Sequence, residues 1–387
     1  MMTPRVSNRF GRFFLAASAG LALLALAGCA SGPGGSGPDS LGGAAMLTLE
    51  DALGEAEARE TLTMLKLPLP GLGAGEDALA EWSQVEMSAT ADRSASALAL
   101  ARGARLALVA GEEGVELVRV GDRLEVVDRA ALGSAAGSVS LADGGVASAL
   151  SEDGSTVHLF RTSGGELASA GAFPLDLALG AGARATAALL SPDGSTLAVL
   201  DAGRARVVFM DVSMGAESIG LSVRREMRAG EGLAGAAWTP DGAALVAAER
   251  LLPRAAMEGV EIVEASGRVS VYEPGSARVT SAMVPGLPGM VAVSPDGSRV
   301  AVVLSGTGEP RLALLARARD GAALLDVQDA GGEAAGLAFD ARGRRVLVAM
   351  PREGAVAVWS VVGGTLRDTG KLIDTGRGVS AVAIVPE

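Results

Sequence analysis

Four residues, Ser-Pro-Asp-Gly, recur along this chain, each time between two short β-type runs. They stand as Ser191-Pro192-Asp193-Gly194 and Ser294-Pro295-Asp296-Gly297. Close variants are Thr239-Pro240-Asp241-Gly242 and Ser151-Glu152-Asp153-Gly154. Proline presets φ at the second turn position, Asp tolerates the third, and Gly takes a positive φ at the fourth without steric cost. That is the chemistry of a hairpin closed by a type I turn and a glycine bulge. β-runs follow the turns, among them Leu197-Ala198-Val199-Leu200 and Val300-Ala301-Val302-Val303. A third run then often ends in an aromatic, as at Phe209, Tyr272 and Trp359.

The turn glycines set the period. Gly154, Gly194, Gly242, Gly297 and decayed copies at Gly343 and Gly103 recur at a mean of 48 residues. Four short strands in that length match a propeller blade. The alternation and the turn chemistry exclude a helical repeat. The reading is therefore an all-β chain forming a single β-propeller over residues 46–387, with seven four-stranded blades as the leading count and six or eight as the alternatives. The run Gly378-Val379-Ser380-Ala381-Val382-Ala383-Ile384-Val385 resembles a strand that would precede another turn. It is expected to pair with N-terminal strands, around Thr61–Pro68 and Ser83–Ala89, so that no edge stays open.

Composition narrows the chemistry. Hydrophobic residues make up 49% of the chain but aromatics only 3%, so the blades must pack with Ala, Val and Leu. Net charge is −12, which argues against nucleic acid as a partner. Cys29 is the only cysteine and His158 the only histidine. An intramolecular disulfide, a zinc cluster and haem attachment are thereby excluded, as is any histidine triad not built on His158. No cofactor and no metal is expected. His158 falls within a strand, and the turn aspartates Asp153, Asp193, Asp241 and Asp296 are read as turn-formers. Trp238 and Trp359 are read as blade core.

The N-terminus reads as an address. Arg5, Arg9 and Arg12 precede an apolar run from Phe13 to Ala25, the plan of a secretory signal over residues 1–28. Leu26-Ala27-Gly28-Cys29 follows. It resembles the lipobox of bacterial lipoproteins, and that resemblance implies a diacylglycerol on Cys29 and a membrane partner reached through the lipid. With Ala30 and Ser31 after the cysteine, the same analogy points to the outer membrane facing the periplasm in a Gram-negative cell, or otherwise to the cell surface. Residues 29–45, rich in Gly, Ser and Pro, read as a flexible tether. A short acidic helix is expected across Glu50–Glu60, from the capping-box spacing of Thr48-Leu49-Glu50-Asp51.

One repeat carries an insertion, around residues 250–267. Long loops on one face of a wheel are natural binding elements. Arg250, Arg254, Glu258, Glu261 and Glu264 are the candidate binding residues there.

The Ser-Pro-Asp-Gly repeats resemble the YVTN/WD40-like propeller repeats of bacteria. The stretch from Gly354-Ala355-Val356-Ala357-Val358-Trp359 through Gly363-Gly364-Thr365-Leu366 to Gly378-Val379-Ser380-Ala381 is similar to lactonase-type propellers. Function does not follow from repeats of this kind alone. The leading expectation is a non-catalytic, lipid-anchored propeller that binds an envelope protein or a small ligand. Its alternatives are a lactonase-type or other hydrolase acting on a sugar-derived substrate, and a surface adhesion module. Asp, Glu and Arg side chains gathered at one mouth of the wheel would favour the hydrolase.

Overall fold

The computed structural model describes three strands before residue 97, namely Ala45–Asp51, Thr61–Lys66 and Trp82–Glu86, and then most of residues 97–385. Residues 102–104, 112–113, 122, 216–217, 231, 252–265, 307, 319–320 and 376–377 lie outside the described residues. So do residues 1–44, with the signal, Cys29 and all but the last residue of the tether.

Six blades follow one another along the chain, each an antiparallel sheet of four consecutive strands. Blade 1 comprises Ala97–Ala101, Leu106–Ala110, Gly114–Val120 and Leu124–Ala131. Blade 2 comprises Ala136–Ala142, Val146–Ser151, Thr156–Ser163 and Glu166–Pro174. Blade 3 comprises Ala187–Leu190, Thr196–Asp201, Arg206–Met214 and Ile219–Arg228. Blade 4 comprises Leu233–Trp238, Leu245–Leu251, Ser266–Glu273 and Arg278–Val284. Blade 5 comprises Leu287–Val293, Arg299–Ser305, Arg311–Ala318 and Gly321–Asp329. Blade 6 comprises Gly336–Phe339, Arg345–Met350, Ala355–Val362 and Thr365–Asp374. The first strands of successive blades adjoin one another, and the fourth strands form the rim.

The expectation of seven such blades in a closed ring is corrected to six. These six, whose side chains and packing are described, leave the ring unclosed between blade 6 and blade 1. Gly378–Val385 stands in that gap, with Val379 and Ala381 to Ile384 buried in the same apolar cluster as Leu98 and Phe339. Its backbone pairs with Ala45–Asp51, and Thr61–Lys66 and Trp82–Glu86 complete that sheet. This sheet is no seventh copy of the repeat: it joins strands from opposite ends of the chain and carries no Pro-Asp-Gly turn. The helix expected across Glu50–Glu60 is corrected at its first two residues only. Glu50 and Asp51 end the strand Ala45–Asp51, whose backbone groups are satisfied across the sheet; residues 52–60 lie outside the described residues.

The abundance of Ala and Gly has a physical cause at the axis. A Cβ on Gly235 would lie 2.4 Å from the carbonyl oxygen of Gly289, and one on Gly336 would lie 3.0 Å from Cα of Ala381. First strands approach so closely there that only small residues fit. Larger side chains fill the spaces farther out. Phe160, Phe209, Tyr272 and Trp359 are all buried on third strands, where the aromatic pattern placed the last three.

The repeated turns join first to second strands in blades 3, 4 and 5. In each, the Ser or Thr hydroxyl donates to the Asp and accepts the amide five residues on, as Ser191 does with Asp193 at 2.6 Å and Thr196 at 3.0 Å. Ser151-Glu152-Asp153-Gly154 makes the same bonds but joins second to third strands. It therefore lies at the opposite end of its blade. The true counterpart in blade 2 is Ala142-Asp143-Gly144-Gly145, where the Asp143 amide donates to the Pro192 carbonyl of the next turn at 3.0 Å. The end carrying these first turns is termed the turn end, and the other the linker end.

Candidate functional site

At the linker end, blades 3 and 4 carry a polar network built from equivalent positions. Asp201 and Glu249 each stand seven residues after their turn glycine, at the end of a second strand. Each faces an arginine across the ladder, Arg206 and Arg268 respectively. The ion pairs measure 3.0 Å for Arg206–Asp201 and 2.6 Å for Arg268–Glu249. Glu249 is fully buried and also accepts the Gly230 amide at 2.7 Å and the Tyr272 hydroxyl. Burial, reinforced by the Glu249 charge, pushes the Tyr272 phenol far above its ordinary pKa. This tyrosine is a fixed hydrogen-bond donor, not a proton shuttle.

The arginines tie each blade to the linker that enters it. Arg204 and Arg206 donate to the Leu179 carbonyl, at 2.7 and 2.8 Å, at the end of the short helix Leu175–Leu179. In blade 5, Arg311 donates to the Pro285 carbonyl from the equivalent ladder position, where the acid is replaced by Leu304. Acids and guanidiniums do gather at one end of the wheel, but they are spent on each other and on carbonyls. The network acts as an internal clamp.

A different arrangement occupies the turn end between blades 1 and 2. A cavity of about 310 Å³ is lined by Leu106, Arg119, Ala142, Asp143, Thr162 and the glycines Gly145, Gly164 and Gly165. Arg119 comes from the third strand of blade 1. The remaining polar groups come from the two hairpins of blade 2, which are tied together by the Thr162 amide donating to the Gly145 carbonyl at 2.9 Å. Both hairpins are glycine pairs, Gly144-Gly145 and Gly164-Gly165, and the missing side chains leave the space. A Cβ on Gly165 would lie 2.8 Å from an Arg119 Nη, so the guanidinium rests directly over this turn. Arg119 also pairs with Glu125 at 3.0 Å, both about half exposed.

The structure places the residues singled out from sequence as follows. Arg250 is half-buried, and its Nε donates to the Pro288 carbonyl of blade 5 at 3.3 Å. Arg254, Glu258, Glu261, Glu264 and Cys29 lie outside the described residues. His158 is on the third strand of blade 2, half-buried, and burial lowers its pKa. At Asp193, Asp241 and Asp296 burial acts upward, but hydroxyl and amide donors of the turn outweigh it and hold each carboxyl below its ordinary value. At Asp153 the Ser151 and Ser155 hydroxyls have the same effect. No group of His, Cys, Asp and Glu among the described residues could hold a metal ion.

Arg119, Asp143 and Thr162 were missed in the sequence because they meet only through packing of two blades. The one available signal was the glycine pair after Asp143, where blades 3, 4 and 5 carry Pro-Asp-Gly.

No protein-family profile and no curated protein matches the sequence. Solved structures do resemble it over nearly its whole length. The periplasmic gluconolactonase of Pseudomonas aeruginosa aligns at 18% identity and TM-score 0.64, over 89% of this chain and 99% of that one. A candidate 6-phosphogluconolactonase of Bacteroides fragilis aligns at 13% identity and TM-score 0.66, over 90% and 100%. A second, from Bacteroides uniformis, aligns at 16% and 0.63, over 89% and 99%. These likenesses overturn the expectation of a non-catalytic scaffold in favour of its lactonase-type alternative, and what they establish for this chain is the fold of a lactonase-like β-propeller.

Proposed function

We propose that this propeller hydrolyses a sugar-derived lactone. The observation that carries the reading is the likeness to one structure named as a gluconolactonase and two named as candidate 6-phosphogluconolactonases, over 89 to 90% of this chain and almost the whole of theirs. In the reaction, water adds to the lactone carbonyl carbon, the bond from that carbon to the ring oxygen breaks, and the ring oxygen keeps a proton from the water. The hydroxy acid formed then releases one proton to solvent. A carboxylate to receive the water proton and a cation to face the carbonyl oxygen are sufficient chemistry. A chain with one histidine and many Asp, Glu and Arg residues can supply both.

The same proposal includes the membrane address: a signal over residues 1–28, diacylglycerol on Cys29 and a tether over residues 29–45. The lipobox resemblance supports it. Replacing Cys29 with Ser then releases the protein from the membrane fraction, and a Cys29→Ser protein that stays with membranes contradicts it.

Proton release from glucono-1,5-lactone in weakly buffered solution tests the enzymatic reading. The expected result is a saturable rate proportional to protein and lost on unfolding. A rate no greater than spontaneous ring opening, across five- and six-membered sugar lactones, overturns it.

A further inference from the structure

We propose that the wheel turns its turn end toward the bilayer, so that its linker end is presented to the aqueous compartment. The proposal rests on the lipid anchor at Cys29; the orientation itself rests on where the first described strand enters the wheel.

The fourth strand of blade 6 ends at the linker end with Asp374. Gly378–Val385 then runs to the turn end between the first strands of blades 6 and 1, in the direction that the first strand of every blade takes. Ala45–Asp51 lies antiparallel beside it, with Ala45 opposite Val385 and Asp51 opposite Gly378. Ala45 therefore stands at the turn end, and the chain that comes from Cys29 arrives there.

Length converts this point of entry into an orientation. Ala45 lies 16 residues after Cys29. That much chain spans about 55 Å when fully extended. A tether of Gly/Ser-rich composition and this length spans about 20–24 Å on average. The wheel is tall on that scale, because the eight residues of Ala355–Val362 rise about 26 Å from one end to the other. With the turn end toward the bilayer, the tether crosses only the gap between wheel and lipid. With the wheel inverted, it must first climb the height of a sheet, which exceeds its mean span. The first arrangement alone leaves it unstretched.

The anchor holds the wheel in this attitude, and no adhesive surface is needed. The turn end carries Asp193, Asp241 and Asp296, all exposed, and carboxylates are repelled by an anionic headgroup layer. The opposite face meets solution. Blade 4 ends its second strand at Leu251 and begins its third at Ser266, both at the linker end, so the insertion departs from that face. A dissolved ligand or partner reaches it without passing between wheel and bilayer.

Cys29 is the only cysteine, so its acylation leaves an introduced cysteine as the only free thiol. Arg352→Cys and Val362→Cys place that thiol at the linker end and the turn end of one strand of blade 6, both at exposed positions. The full-length proteins are purified from membranes, labelled with a fluorescent donor and reconstituted on phosphatidylcholine vesicles with an acceptor on the headgroups. With the two ends about 26 Å apart, energy transfer is expected to be about twofold or more stronger from Val362→Cys. Leu177→Cys at the linker end and Ala243→Cys at the turn end repeat the comparison on other blades, in case a first variant does not fold. Equal transfer from the two ends, or stronger transfer from the linker end, overturns the proposal. The count of labelled thiols separates the failures. Two per chain show Cys29 unacylated, which removes the anchor and the orientation together. One per chain with equal transfer keeps the anchor and removes the orientation alone.

Discussion

The junction of blades 3 and 4 and the junction of blades 1 and 2 are made from the same repeat, yet one is sealed and the other is open. Between blades 3 and 4, Trp238 crosses to the Leu189 carbonyl at 2.9 Å and meets Phe209 edge-on, ring centres 5.8 Å apart. Buried Glu249 then closes the linker end with three donors. Between blades 1 and 2 the turn end holds a cavity framed by glycine pairs and a half-exposed ion pair. The rim of that junction is held instead by Asp128, which accepts the Leu167 amide at 2.6 Å. Blades 5 and 6 use the same latch, Asp326 to the Leu366 amide at 2.8 Å. The sealed junction thus keeps the proline-on-glycine contact of the repeat, Pro192 against Gly242, and the cavity lies at a junction where blade 1 supplies no such proline.

If the sealed junction is an internal clamp, breaking it should cost stability. Glu249→Ala strands Arg268, the Tyr272 hydroxyl and the Gly230 amide in a buried setting. A loss of roughly 3–5 kcal/mol is expected in denaturant unfolding, whereas Arg119→Met at the open junction should cost about 1 kcal/mol or less. Equal losses at the two sites would erase the distinction. Trp238→Ala comes next. It empties a large buried volume and orphans the Leu189 carbonyl, for about 3–5 kcal/mol. A cost below about 1 kcal/mol would show that the junction does not depend on this ring.

Gly145→Ala probes the open junction through its backbone. Gly145 sits at φ 76°, and a Cβ there would lie 3.0 Å from the Thr162 carbonyl oxygen. About 1–3 kcal/mol is expected from the strained φ. At Gly133, whose φ is 74° with open space around it, the same substitution should cost less.

The smallest effect concerns acid. Asp193, Asp241 and Asp296 have folded pKa values below the ordinary 3.8, so each contributes stability that is present above that value and lost as pH falls through the folded one. Replacing all three with Asn should lower stability at neutral pH and flatten its decline between about pH 5 and pH 2. An unaltered decline would mean that these turns do not set the acid limit.

Much of the wheel was legible because turn chemistry is local. Ser191, Pro192, Asp193 and Gly194 need only one another to form their hairpin, so a single copy announced two strands. The phase of blade 2 was misread for the same reason. Ser151-Glu152-Asp153-Gly154 makes the same local bonds, and nothing local says which pair of strands it joins. Blade number was less legible. Gly378–Val385 finds its partners more than 300 residues away at Ala45–Asp51, and periodicity carries no information about that sheet. The clamp left a faint trace, an acid seven residues after Gly194 and again after Gly242. The cavity left almost none, because Arg119 and Asp143 become neighbours only when two blades pack.

The most direct measurement is the rate of proton release from glucono-1,5-lactone and from its 6-phosphorylated form, on one preparation of folded protein. The account requires saturable hydrolysis of at least one of the two above the spontaneous rate. Two progress curves indistinguishable from protein-free solution would contradict it.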